Sequence, residues 1–374
     1  MTMRIRTCLS ALVLLASATT TGWAQRQGTQ LQSDPNRGIT RVGTRGANFL
    51  EIGVGARELA LGGAVVAATE GLSSLYWNSS AIVGIEGVAG AVSYAELYGS
   101  SGVTHTYLAA ALPLSPGNVI GASLTRFSSG DVRVTTERWP TGGDPQRAEF
   151  VEWAGTAFGL HYSRAITDRL NVGISAKYIQ EGITQATADY VGLDLSTIFH
   201  TGIYGITMGA AVVNVGTTGQ FRGGAIETVM PSSADQGTIP SGDPVDVELR
   251  TQKLQLPTAF RFGIRAELYG APDAILGPSA DHGLAVLTSI QDATTTLMQP
   301  SFGAEYSYRG MFFVRAGKHF RNEPRAGWEF TDGLSGGLGL RLPIGDRRVA
   351  LDYAYTTLGD ALGHNQVFSF EFGF

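Results

Sequence analysis

From Gly87 to the end of the chain, apolar and polar residues alternate in short runs, separated by glycine- or proline-containing turns. A period of two marks a β-strand whose two faces meet different surroundings. The pattern predicts fourteen strands, near residues 87–97, 103–114, 117–128, 151–165, 170–181, 186–200, 203–215, 257–269, 282–292, 299–309, 311–320, 333–343, 347–357 and 364–374. The clearest is 260–268, FRFGIRAEL: Phe260, Phe262, Ile264, Ala266 and Leu268 share one face, and Arg261, Gly263, Arg265 and Glu267 the other. Strand 282–292 alternates least.

The final run, HNQVFSFEFGF at 364–374, puts Phe368, Phe370, Phe372 and Phe374 on one face and Ser369, Glu371 and Gly373 on the other. An aromatic face beside a small or charged one suits a barrel in lipid, with apolar residues outward and polar ones in the lumen. The alternative is the closing strand of a soluble β-sandwich. The four phenylalanines also have the form of a terminal strand read by the outer-membrane barrel-assembly machinery. By the same alternation, Arg261, Arg265, Glu267, Glu305, Arg315, Arg341, Asp352 and Glu371 face the lumen, since charge cannot face lipid cheaply. They either line a path for polar solutes or pair with one another to fix register. Pairing is the stronger reading, because unpaired charge away from water is costly. The fold class expected is therefore all-β, a fourteen-stranded antiparallel transmembrane barrel in contact with outer-membrane lipid.

Loop lengths give an independent sign. With the first strand rising from the periplasm, the connections 98–102, 129–150, 182–185, 216–256, 293–298, 321–332 and 358–363 fall on the cell exterior, and they include the three longest. Most periplasmic connections are tight turns, with 270–281 the exception. Long outer loops and short periplasmic turns are the asymmetry of outer-membrane barrels, and an even strand number leaves no open edge.

The N-terminus changes the picture next. Arg4 and Arg6 precede an apolar Leu9–Ala16 run and a small-residue site at Gly22-Trp23-Ala24, so residues 1–24 read as a secretory signal peptide. Residues 25–46 are a polar, flexible lead, 47–86 a distinct apolar segment, and 87–374 the barrel. The one cysteine, Cys8, lies before the cleavage site, so the mature chain has no disulfide. The chain has 50 glycines, which suits tight turns and a crowded interior. Its acidic balance, 27 basic against 32 acidic residues, argues against a nucleic-acid partner. The six histidines are scattered, and no metal-ligand spacing or nucleophile elbow occurs, so no cofactor, metal site or enzymatic activity is expected.

Residues 47–86 are apolar but do not alternate. Ala56 to Ala60 is a run of helix formers ending at Gly62-Gly63, and Gly71 to Leu75 suggests a second helical turn. The segment carries Gly53-Val54-Gly55-Ala56-Arg57, Leu61-Gly62-Gly63-Ala64 and Tyr76-Trp77-Asn78. In these elements it resembles the N-terminal signature of the PorV/PorQ outer-membrane proteins, within the wider group of FadL-like barrels. The family continues Asn-Pro-Ala-Gly, where this chain reads Asn78-Ser79-Ser80-Ala81. The resemblance implies a fourteen-stranded barrel with its N-terminal segment folded into the lumen as a plug, its motif residues being Gly53, Gly55, Arg57, Gly62, Gly63, Trp77 and Asn78. A periplasmic cap or an extra strand pair remains open for the same residues.

Two functional classes follow. PorV-like proteins handle cargo with a type IX-like secretion system, which implies secreted proteins or secretion components as partners. The working surface would be the loop 216–256. FadL-like proteins pass hydrophobic small molecules, which needs an apolar pocket near the outer mouth. Tyr98, Phe127, Trp139, Trp153 and Phe221 would supply it, or would serve as interfacial anchors. The closer N-terminal match puts protein secretion first and hydrophobic transport second.

Overall fold

A computed structural model describes residues 43–373 apart from 69, 146–148, 184, 231–244, 322–330, 346 and 360–361. The alternating part of the chain forms fourteen antiparallel strands closed into one barrel. They are β1 (Ala89–Leu97), β2 (Val103–Ser115), β3 (Asn118–Ser128), β4 (Trp153–Ala165), β5 (Leu170–Ile183), β6 (Ala186–His200) and β7 (Thr207–Gly216). They continue as β8 (Ala259–Tyr269), β9 (His282–Ala293), β10 (Gln299–Tyr308), β11 (Phe312–His319), β12 (Leu334–Ile344), β13 (Arg347–Thr357) and β14 (His364–Phe372). Each pairs with the next, and β14 returns to β1 in a register running from Gly90 opposite Phe372 to Glu96 opposite Gln366.

All fourteen expected strands are present, including the weakly alternating β9, which pairs along its length with β8 and β10. The largest boundary difference is at β7, which begins at Thr207 rather than 203. Gly202, Tyr204 and Gly205 take φ of 69°, 54° and 59°, a left-handed backbone that ends a strand. One interior irregularity was not expected. The pairing of β6 with β7 shifts register between Leu193 and Leu195, beside the left-handed Asn214. Asp194 is buried there, accepting from the Asn214 amide at 2.7 Å and pairing with Lys177 Nζ at 2.6 Å.

The two faces of the wall separate as the alternation requires. Phe260, Phe302, Tyr306, Tyr308, Leu338, Leu351, Tyr355, Phe368, Phe370 and Phe372 are exposed on the outside. Arg261, Glu305, Arg315, Ser369 and Glu371 are buried inside. Phe374 lies outside the described residues. At one end the strands join through short turns, such as those between β2 and β3 and between β12 and β13. At the other lie the long connections. These are less irregular than expected. Glu227–Met230 pairs with Val245–Glu248, and Thr218–Gly219 with Leu254–Gln255, inside the connection from β7 to β8. Val132–Arg133 pairs with Phe150–Val151 in the connection from β3 to β4.

This separation predicts unequal effects for two neighbours on β8. Phe262→Arg puts a cation on the lipid face, at a cost of about 2–4 kcal/mol near the membrane centre. Gly263→Ala adds an inward methyl about 3.1 Å from Val66 Cβ, a tight contact but not a charge in lipid. Folding titrations in lipid vesicles should show Phe262→Arg far less stable. Equal losses would reverse the inside–outside assignment.

Candidate functional site

Residues 47–85 pack against the inward residues of the wall. They contain a 3-10 turn Asn48–Glu51, the helix α1 (Ala56–Ala60), the helix α2 (Ser74–Trp77) and a second 3-10 turn Ser79–Gly84. The two helices appear close to the expected places, α2 slightly later in sequence. Neither is long enough to be stable alone. Their own apolar side chains and the wall hold them: Leu61, Leu72, Leu75 and Ile82 are fully buried and cluster with Tyr107 and Val119 of the wall.

The motif residues have identifiable tasks. Trp77 Nε1 donates to the Val54 carbonyl at 2.9 Å, with Gly53 and Gly63 lying against its indole. Asn78 caps the second 3-10 turn: its Oδ1 accepts from the Ser80 amide and hydroxyl, and its Nδ2 donates to the carbonyls of Val66 and Thr197. Ser79 and Ser80 therefore form this turn without a proline. Gly62 takes φ 66° with the Lys318 backbone so near that a Cβ would crowd it. The wall answers in kind. Gly209 of β7, Gly303 of β10 and Gly317 of β11 face Val66, Leu61 and Gly62, where any side chain would collide with backbone. Wall hydroxyls finish the seating: Ser369 Oγ accepts from the Ala56 amide at 2.8 Å, and Ser163 Oγ donates to the Ser79 carbonyl at 2.6 Å.

The inward charges meet this segment in two groups. Arg261 stands apart from the rest. Its guanidinium lies 4.9 Å from the Tyr76 ring centre and 5.2 Å from that of Trp77, and Nη1 donates to the Tyr76 carbonyl at 3.0 Å. Glu305 gathers cations from both the wall and the segment. Arg57 binds its two oxygens through Nε and Nη2, both at 2.9 Å. Arg315 Nε reaches it at 2.6 Å and extends through Nη1 to Asp352 at 2.5 Å. Arg265 pairs with Glu267 at 2.7 Å, and Arg341 with Glu70 at 2.8 Å. Glu371 accepts from the Leu72 amide at 3.3 Å and the Ser73 hydroxyl at 3.4 Å. Phe368, Phe370 and Phe372 take no part, being on the outer face.

Sequence reasoning missed Glu58 and Glu70. Both are acids within the apolar segment, which was the only available signal. Burial works against the Arg57 cation, yet Glu305, Glu70 and Glu58 hold it well above its ordinary range. Burial alone would raise Glu70, but Arg341, Arg57 and Arg265 outweigh it and hold the carboxyl down at about 2. Glu58 goes the other way: burial, with Glu371 and Asp352 nearby, pushes it to about 8 against the pull of Arg57.

Two predictions follow from this geometry. Glu305→Gln leaves Arg57 and Arg315 buried without their shared counter-charge, a change worth roughly 3–5 kcal/mol. The heat at which the barrel unfolds in detergent should fall sharply, more than for Phe302→Ala on the outer face of the same strand. A raised carboxyl stabilises below its unfolded value and loses that contribution as pH rises towards about 8. The contribution of Glu58 to stability should therefore decline between about pH 4.5 and pH 8. Glu58→Gln should lessen that decline, and identical pH profiles would show that Glu58 does not titrate as argued.

Neither a family model nor a curated protein matches the sequence. Solved structures do match in fold. The Pseudomonas putida toluene transporter TodX superposes with a TM-score of 0.53 at 12% identity, over 86% of this chain and 96% of its own. The CymD monoaromatic hydrocarbon channel gives 0.51 at 12% identity, over 86% and 97%. A Pseudomonas aeruginosa FadL homologue gives 0.48 at 11% identity, over 86% and 98%. The chain is thus similar in fold to TodX and CymD.

Proposed function

We propose that this chain is an outer-membrane passage for small hydrophobic molecules, with residues 47–86 as the plug across its lumen. The observation that carries the reading is the apolar surface at the long-loop mouth. Ile52 of the N-terminal segment, Phe127 at the end of β3 and Phe221 of the connection after β7 are half-buried there. They pack on a buried cluster that includes Phe49, Leu50, Tyr190 and Leu256. Trp153 adds its ring 5.6 Å from Phe221. Three of the five aromatics expected to line such a mouth therefore gather at it. A cluster of partly exposed apolar side chains at a mouth suits contact with a neutral hydrophobic ligand.

The plug reading is supported by contacts with inward residues on most of the wall, from β3 through β14. The solved neighbours with the stronger fold match are a hydrocarbon channel and a toluene transporter. They favour small-molecule passage over the cargo handling implied by the PorV/PorQ resemblance, which rests on the motifs of residues 53–78.

Vesicles containing the protein should take up labelled toluene faster than empty vesicles. Phe127→Asp with Phe221→Asp should slow that uptake several-fold while the barrel stays folded, because each carboxylate must be desolvated in an apolar mouth. Uptake no faster than in empty vesicles, with secreted proteins retained on the purified barrel, would turn the assignment to protein handling.

A further inference from the structure

The opposite end of the barrel is chemically different. A cavity of about 440 Å³ opens among the short turns, between the inner ends of β8 to β13 and the N-terminal segment. Four arginines line it: Arg265, Arg309, Arg341 and Arg348. Its carboxylates are Glu70, Glu267 and Glu305, and each is already engaged by a guanidinium. Four arginines against three engaged carboxylates leave the lining with an excess of positive charge. Arg265 Nη1 and Arg341 Nε are buried and find no acceptor among the described residues, and Arg315 Nη2, just behind the wall, is in the same condition.

A buried guanidinium N–H without an acceptor is costly, and an oxyanion satisfies such groups with strong charge-assisted bonds. The geometry also fixes the donors in advance. The ring of Phe313 lies 4.4 Å from the Arg341 guanidinium and 4.9 Å from that of Arg315, which holds both planes in place. Glu70 is the opposing feature: its carboxylate is charged and 39% exposed, and Arg341 Nη1 neutralises it at 2.8 Å. The volume suits a small solute.

We propose that this cavity binds the oxyanion group of a small solute, a carboxylate or a phosphate, between Arg265 and Arg341. The site stands whether or not hydrocarbons pass the barrel, since none of its residues belongs to the apolar mouth. The probes are inorganic phosphate and benzoate, titrated by calorimetry into the full chain in lipid nanodiscs at low salt. Saturable binding is expected for at least one of them. Tighter phosphate marks a site for the inorganic ion, and tighter benzoate one for an organic acid whose ring rests on Met311 and Phe313. Arg341→Gln should weaken binding about tenfold or more, the loss expected for one charge-assisted bond. Because that change also frees Glu70, a second variant is needed. Ser307→Asp places a negative charge in the cavity wall and removes no ion pair, and it should abolish binding. No saturable binding to the native chain, or binding unchanged in both folded variants, would overturn the proposal.

Discussion

A strand edge cannot be left open in lipid. Every backbone N–H and C=O in the hydrocarbon layer needs a partner, and only a helix or a closed sheet supplies one. Here the requirement is met where β14 pairs back onto β1. Once the sheet is closed, each strand has an outer face in hydrocarbon and an inner face enclosed by the wall. Charge on Arg261, Glu305 or Arg315 then has one place to go, and it must be neutralised there. The ion pairs inside the barrel follow from the hydrogen bonds of its wall.

Glu305 shows how the two problems are joined. It takes two cations from its own wall, Arg315 at 2.6 Å and Arg265 at 3.9 Å, and one from the N-terminal segment, Arg57. Withdrawing the segment would strip Glu305 of Arg57 and expose the buried leucines of residues 61–75 together with the glycine surfaces they rest on. A segment held by salt bridges, shape and hydrophobic burial together is part of the barrel's core. Any opening of the lumen is therefore more economical as a local change at a mouth than as withdrawal of the whole segment.

The strands were legible because only one of their faces can tolerate lipid, so period two survives even where β9 alternates poorly. The segment's helices were legible from composition and its Gly-Gly stop. What could not be read depended on register. Nothing in the order of residues says that Arg57 meets Glu305, 248 positions away, or that Arg341 meets Glu70. The 50 glycines announced a crowded interior without saying that Gly209, Gly303 and Gly317 are among those touched by the segment. The bulge at Asp194 gave no sign because an isolated acid on an inward face looks the same with or without a register shift. The short ladders inside the loop 216–256 were hidden by its polar, glycine-rich composition.

The two mouths differ in a way that bears on direction. Under the proposed function, a neutral hydrophobic molecule at the long-loop end would meet Ile52, Phe127 and Phe221, and lose unfavourable hydration by entering. At the short-turn end it would meet the charged guanidinium groups of Arg265 and Arg341. Passage requires attraction strong enough to admit a molecule and weak enough to release it. Under the proposed function, an apolar entrance and a guanidinium-lined exit divide those demands between the two ends. The N-terminal segment touches both, with Ile52 at one mouth and Glu70 at the other.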